Sequence, residues 1–201
     1  MLARQSQAEI VLEMPLRGRR DYVHSTDLFA ALDGLAEAFL GSGAYLKTLN
    51  LRRRAHCQTT ACFRPDANAF GTFAFAARGW IMEGWLVENS LPITRRIEFD
   101  EGAIAKLAIS DHGCVGLRAP IQGYSAFEQL IVLFKMLCAQ SHPGAWLLTA
   151  IDLDRPLSTQ AALAVSRTQL VLGRMIDAML YQDGSPAGRM QMVLPYAGSV
   201  A

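Results

Sequence analysis

One segment of the chain, from Ser125 to Ala139, constrains the fold more than any other. Its apolar residues recur at helical spacing and cover almost the whole circumference of a helix; they are Phe127, Leu130, Ile131, Val132, Leu133, Phe134, Met136, Leu137 and Cys138. Ser125 is a suitable N-cap, and the His-Pro-Gly sequence that ends at Gly144 is a stop signal. We therefore expect a helix buried on nearly all sides, which other parts of the chain must cover.

A second helix is predicted in the first half of the chain. Ser25 or Thr26 is placed to cap it, and Asp27 in its first turn suits the positive end of the helix dipole. Its apolar face ends at a glycine, Gly41, and consists of Leu28, Phe29, Leu32, Leu35, Ala36, Phe39 and Leu40.

Around both helices the hydrophobic period changes to about two, which is typical of β-strands. Strands are predicted before the first helix over 9–14 and after it over 45–63, 70–77, 80–87, 93–99 and 103–109. The second half repeats this order, with strands over 115–121, 145–153, 162–173, 174–181 and 188–194. The pattern predicts an α+β chain of two duplicated modules, residues 1–110 and 111–201.

Net charge and composition argue against some kinds of partner and location. A formal net charge of +1 over 201 residues, with mixed signs, argues against a nucleic-acid partner. Glu128 and Lys135 interrupt the longest apolar segment, so no membrane span is expected, and residues 1–9 lack the apolar run of a signal peptide. We expect a cytoplasmic protein.

The four cysteines are not spaced as metal ligands. They are Cys57, Cys62, Cys114 and Cys138, with neither a Cys-x-x-Cys pair nor a Cys/His cluster among them. Reduced thiols and no metal site are the expectation.

The order of elements, a long buried helix with antiparallel strands in each half, resembles the hotdog fold, here as a tandem double hotdog. The segment Gly123-Tyr-Ser-Ala-Phe-Glu-Gln129 is similar to the corresponding loop and helix of hotdog dehydratases that act on hydroxyacyl thioesters. Gly123 and Glu128 match that pattern, whereas the position of the family's catalytic His is Cys114 and the nearest imidazole is His112.

The resemblance implies two helices, each wrapped by a curved antiparallel sheet. It implies a substrate acyl chain carried as a pantetheine thioester, on coenzyme A or an acyl carrier protein, and no cofactor. Because a double hotdog can pair again, a homodimer is also an expectation.

Glu128 is the first candidate catalytic residue. A carboxyl group on a buried helix loses hydration, which raises its pKa and suits it to general acid or base catalysis. The alternative is structural: Ser125 and Glu128 have the spacing of a capping box, in which the carboxylate only helps the helix to start.

His24 is the second candidate, with Asp27 beside it. In a paired hotdog the loop that leads into one helix faces the helix of the other module, so His24 could meet Glu128 and supply the missing base. The alternative is that His24 is a hydrogen-bonded structural group near the helix cap.

The other candidates would bind or orient substrate. Tyr124 and Gln129 could orient a carbonyl group or the Glu128 carboxyl group, and the backbone N–H groups from Gly123 to Ser125 could form an oxyanion hole. The arginine runs 52–54 and 95–96 could hold coenzyme A phosphates or an acidic carrier protein, although such runs are more often solvated or paired.

The sequence thus predicts dehydratase-like acid–base chemistry on an acyl thioester. Thioester hydrolysis is the second enzymatic hypothesis, with the carboxylate activating water. A catalytically inactive acyl-binding or assembly module is the third, because Cys114 stands where the family has its His.

Overall fold

The computed structural model describes residues 9–195. Residues 1–8, which carry most of the segment considered for a signal peptide, lie outside the described part, as do residues 196–201. The chain divides into two compact units, Met1–Phe99 and Asp100–Ala201. No helix in the described residues is long and apolar enough to cross a membrane.

The first unit contains one long helix and an antiparallel sheet. Its elements are β1 (Ile10–Leu12), β2 (Leu16–Arg17), α1 (Ser25–Leu40), β3 (Tyr45–Leu51), β4 (Cys57–Cys62), β5 (Gly71–Ala77), β6 (Trp80–Pro92) and β7 (Arg96–Ile97). The sheet has the order β1-β4-β6-β5-β3, and β2 and β7 form a separate parallel pair. α1 packs against β3 and β5 through an apolar face that includes Leu28, Phe29, Leu32 and Ala36.

The second unit begins with a short helix. Its elements are α2 (Glu101–Ala105), β8 (Ile109–Asp111), β9 (Cys114–Gly116), α3 (Ala126–Ala139), β10 (Leu147–Leu153), β11 (Leu163–Val171), β12 (Met175–Gln182) and β13 (Ser185–Val193). The strands are antiparallel in the order β10-β13-β12-β11-β9-β8. α3 packs against β9, β11 and α2, and ten of its residues are buried.

The sequence of elements is similar in the two units, but the order of strands in their sheets is not. In the second unit, β11 turns back into β12 through the tight turn at Leu172 and Gly173, so these strands are neighbours. In the first unit, residues 63–70 separate β4 from β5, and β6 lies between them, paired with both. The longer connection permits a crossover that a tight turn forbids.

Several local predictions differ from the structure, and the strand predicted over 115–121 is only β9. The N-cap of α1 is His24 rather than Ser25 or Thr26. The strand predicted over 93–99 is reduced to β7, and the strand predicted over 103–109 is mostly helix α2 with its following turn. The helix forms because the Asp100 side chain accepts the N–H of Ala103 at 3.2 Å, which caps it. The buried side chain of Ile104 anchors the helix.

Two glycines make a matched test of the packing. A Cβ atom on Gly84 of β6 would lie 2.1 Å from the ring of buried Phe73 on β5, whereas a Cβ atom on Gly34 of α1 meets nothing within 4 Å. We expect Gly84→Ala to lower the free energy of unfolding by about 1–3 kcal/mol through overpacking. Gly34→Ala should raise it by up to about 1 kcal/mol, because alanine favours a helix. Urea unfolding measures both, and equal stabilities of the two variants would contradict the packing described.

Candidate functional site

A cluster of buried polar side chains lies at the N-terminus of α1. Its members are Arg17, His24, Thr26 and Asp27, each less than a tenth exposed. Arg17 donates from Nε to Asp27 Oδ2 and from Nη2 to Asp27 Oδ1, both at 2.8 Å. The guanidinium group also lies 4.6 Å from the ring centroid of Phe99. This two-bond ion pair fixes β2 against the first turn of the helix.

His24 is the N-cap of α1, and its ring is 4% exposed. Nδ1 accepts the backbone N–H of Thr26 at 3.4 Å and lies 2.7 Å from Thr26 Oγ1. An N–H group can only donate, so Nδ1 must be an acceptor and a neutral ring must carry its proton on Nε2. The ring also lies 6.0 Å from that of Phe99. The cap therefore fixes both the orientation and the tautomer of His24.

The segment that leads to His24 is held by the β3–β4 loop. Val23 donates its N–H to the carbonyl of Ala55 at 2.8 Å, and the ring Nδ1 of His56 lies 2.9 Å from the carbonyl oxygen of Asp21. On the far side of this loop, Glu88 of β6 accepts hydrogen bonds from the side chain of Arg53 and from the N–H groups of His56 and Cys57.

Glu88 is ionised in this arrangement. Burial alone would raise its pKa, but the hydrogen bond from the Arg53 side chain and those from the backbone of His56 and Cys57 outweigh burial and lower it. A carboxylate therefore clamps the loop at neutral pH.

In the second unit, Ser125 and Glu128 form a complete capping box at α3. Glu128 donates its backbone N–H to Ser125 Oγ at 3.1 Å, and Glu128 Oε2 accepts the backbone N–H of Ser125 at 2.8 Å. Glu128 is half-buried. The capping box holds its carboxylate at the helix N-terminus.

Gln129 is fully buried and fastens the preceding loop to α3. Its Oε1 accepts the N–H of Ile121 at 3.1 Å, and its Nε2 donates to the carbonyls of Ile121 at 3.2 Å and Tyr124 at 3.1 Å. Within this loop Gly123 has φ +85°, a conformation that L-residues rarely adopt. The hydroxyl of Tyr124 donates to the carbonyl of Asp100 at 3.4 Å.

The structure thus places the predicted residues in two groups, one in each unit. Gly123, Tyr124, Ser125, Glu128 and Gln129 share one loop and helix start. The N–H of Ser125 already donates to Glu128, so the oxyanion-hole prediction is weakened at that donor.

In the first unit His24 and Asp27 share one helix start, but the carboxylate of Asp27 binds Arg17. The sequence analysis did not consider Arg17, and it considered Thr26 only as a helix cap. Arg17 is followed by Gly18 and two further arginines, and only its position two residues after Pro15, beside the apolar Leu16, could have marked it as buried.

No metal-binding group forms among residues 9–195, where no three His, Cys, Asp or Glu side chains are arranged to hold an ion. All four cysteines are free thiols, and none of them forms a disulfide. Burial raises the pKa of the Cys138 thiol to about 12, so it stays protonated.

Comparison with known proteins gave similarities of structure. No protein-family model and no curated protein sequence matches the chain. The dehydratase domain of PpsC from Mycobacterium tuberculosis, in complex with C12:1-CoA, is 8% identical, with a TM-score of 0.49 over 87% of this chain and 85% of that one. A candidate thioesterase II from Thermobifida fusca YX is 10% identical, with a TM-score of 0.49 over 94% and 91%.

The 12:0-ACP thioesterase from Umbellularia californica is 11% identical, with a TM-score of 0.47 over 93% of this chain and 96% of that one. These three similar structures, two thioesterases and one dehydratase domain, agree with the suspected weak match to hotdog-fold proteins.

The buried ion pair at α1 gives a direct test of the site's framework. Arg17→Met leaves the Asp27 carboxylate buried without its partner, so we expect a loss of about 3–5 kcal/mol in the free energy of unfolding. Arg17→Met combined with Asp27→Leu removes both charges and should recover most of that loss. Urea unfolding of the three proteins measures this. A single variant as stable as the parent protein would show that the pair does not hold the helix start.

Proposed function

We propose that the chain acts on an acyl group carried as a pantetheine thioester, by acid–base chemistry of the dehydratase type, with His24 and Glu128 as the reacting side chains. We also infer that each unit is a version of the hotdog motif, two in tandem. The packing of one long helix against strands of its own unit's sheet supports this inference.

The environment of His24 is the observation that carries the proposal. The imidazole is buried, which disfavours its charged form, and its hydrogen bond with Thr26 assigns the ring proton to Nε2. A neutral imidazole with that proton can donate a hydrogen bond to a thioester carbonyl and stabilise the enolate that forms when C2 loses a proton.

Glu128 supplies the complementary group. A carboxylate held by a backbone N–H keeps one rotamer, and its half-buried position limits its hydration. In dehydration, the carboxylate takes a proton from C2 of a 3-hydroxyacyl thioester. The C2–H electrons form an enolate whose oxygen accepts a hydrogen bond from Nε2–H of His24. The enolate then forms the C2–C3 double bond as the C3–O bond breaks, and the protonated Glu128 gives its proton to the hydroxyl group, which leaves as water.

The neighbouring residues would place the substrate. Gln129 fixes the loop that contains Gly123, Tyr124 and Ser125, so these residues form a rigid wall beside Glu128. Asp27 acts through Arg17, because their ion pair sets where the first turn of α1 and His24 lie.

A panel of thioesters distinguishes the candidate functions. We expect 3-hydroxyacyl pantetheine thioesters to gain enoyl absorbance without releasing thiol. Release of free thiol would instead favour hydrolysis. If neither reaction occurs and an acyl thioester still raises Tm, the chain is an acyl-binding module.

Two substitutions that preserve the helix caps test the side chains. Glu128→Gln can still form the capping box, and His24→Asn introduces one of the best N-cap residues. We expect each to lower kcat/KM by at least about a hundredfold while Tm stays close to that of the parent protein.

Ser125→Ala is the matched structural control. It removes the capping bond to the backbone of Glu128 and should cost about 1 kcal/mol of stability. It should also lower turnover far less than Glu128→Gln. Normal turnover by Glu128→Gln or His24→Asn would remove that residue from the mechanism.

A further inference from the structure

Arginine side chains in the first unit are concentrated on a few segments, although the net charge of the whole chain is only +1. Residues 16–23, 52–56 and 95–97 contain one acidic residue, Asp21, and eight arginines: Arg17, Arg19, Arg20, Arg52, Arg53, Arg54, Arg95 and Arg96. Most of these guanidinium groups belong to exposed residues.

Backbone contacts bring the three segments side by side. β2 pairs with β7, and the N–H of Leu16 donates to the carbonyl of Arg95 at 2.9 Å. Leu16 also forms a bridge with Val23, whose N–H donates to Ala55 of the β3–β4 loop at 2.8 Å. Each segment is therefore hydrogen-bonded to the next through its backbone, and we call the eight arginines of these neighbouring segments the arginine strip.

The framework uses some members of the strip. Arg17 pairs with Asp27, and Arg53 pairs with Glu88. The Nη1 atom of Arg96 donates to the carbonyls of Gly18 and Arg20, which steadies the turn without neutralising the charge. Positive charge therefore remains in excess on this surface.

Arg54 is a further member of the strip. Its guanidinium group lies 4.5 Å from the ring centroid of Tyr22, and its Nε atom is buried without a hydrogen-bond partner in the described part of the chain. Arg54 is partly exposed and adds to the positive charge of the strip.

We propose that the arginine strip is the docking surface for an acidic face of the protein that carries the thioester. This rests on the proposed function and names the partner that delivers the substrate. Guanidinium groups bind carboxylates through two parallel hydrogen bonds. The charges extend over three segments, which suits an extended acidic face better than the compact phosphates of a nucleotide. Val23 precedes His24 in the chain and Arg17 pairs with Asp27 in the first turn of α1, so the carrier docks beside the proposed catalytic end of α1.

Charge reversal at two exposed positions tests the surface. Arg19→Glu with Arg95→Glu changes neither the Arg17–Asp27 pair nor the Arg96 contacts. We expect kcat/KM for a 3-hydroxyacyl group on an acidic holo acyl carrier protein to fall by about tenfold or more, chiefly through a higher KM, because charge complementarity guides association. Turnover of the same acyl group on free pantetheine should stay within about twofold, since that substrate does not contact the strip.

Arg64→Glu with Arg118→Glu is the matched control. It makes the same change in net charge at exposed positions outside the strip. This variant should retain parental turnover of both substrates. Equal losses in the two double variants, or equal losses on carrier-bound and pantetheine-bound substrate, would overturn the proposal.

A direct binding measurement distinguishes docking of the carrier protein from turnover of its thioester. The same holo carrier protein and coenzyme A are each titrated into the parent protein and the Arg19→Glu/Arg95→Glu variant by calorimetry at low and high salt. Carrier binding that weakens in the variant and at high salt supports docking even if no thioester is turned over. Absence of carrier binding to the parent protein, or an equal weakening of coenzyme A binding, overturns it.

Discussion

The ion pair between Arg17 and Asp27 is the interaction on which the described site depends. Removing two charges from water costs several kcal/mol for each ion, and the loss is offset only when geometry is good and the remaining donors are satisfied. Here two parallel hydrogen bonds of 2.8 Å and the ring of Phe99 provide that geometry. A pair of this kind specifies one arrangement of β2 against α1.

Two consequences follow from that arrangement. Because β2 is fixed to the first turn of α1, the chain between them has few ways to close, and His24 arrives as the N-cap with its ring buried. Because β2 also pairs with β7, the arginine-containing segments around the two strands lie next to each other. The proposed reacting imidazole and the proposed docking surface therefore share one structural origin.

The two helices begin with different solutions to the same problem. Both must satisfy the first N–H groups of a helix. α3 uses Ser125 and Glu128 in a capping box, whereas α1 uses the imidazole of His24. In each case the side chain that caps the helix is also the one proposed to react, so stability and chemistry must be separated by substitutions that keep the cap.

The start of α3 could be predicted from the sequence because Ser125 and Glu128 have the local spacing of a capping box and the apolar residues after them recur at helical spacing. The N-cap of α1 could not, because histidine is an uncommon cap and its role depends on burial by residues distant in sequence. Helix α2 was mistaken for a strand because aspartate at position 100 is typical both of a turn and of a helix N-cap.

Features that depend on long-range contacts also could not be predicted from the sequence. No local pattern indicates that Arg17 meets Asp27, that β2 pairs with β7, or that β6 lies between β4 and β5. These arrangements arise from pairing and burial across the first unit, which periodicity does not encode.

The protonation site of the His24 ring tests the account most directly, because the cap, the burial and the proposed chemistry all depend on it. A proton–nitrogen NMR spectrum of protein labelled with ¹⁵N in the histidine rings, assigned with His24→Asn, reports the tautomer. The account predicts a neutral His24 ring with its proton on Nε2 at neutral pH. A ring with its proton on Nδ1, or one that exchanges freely between both forms, would contradict it.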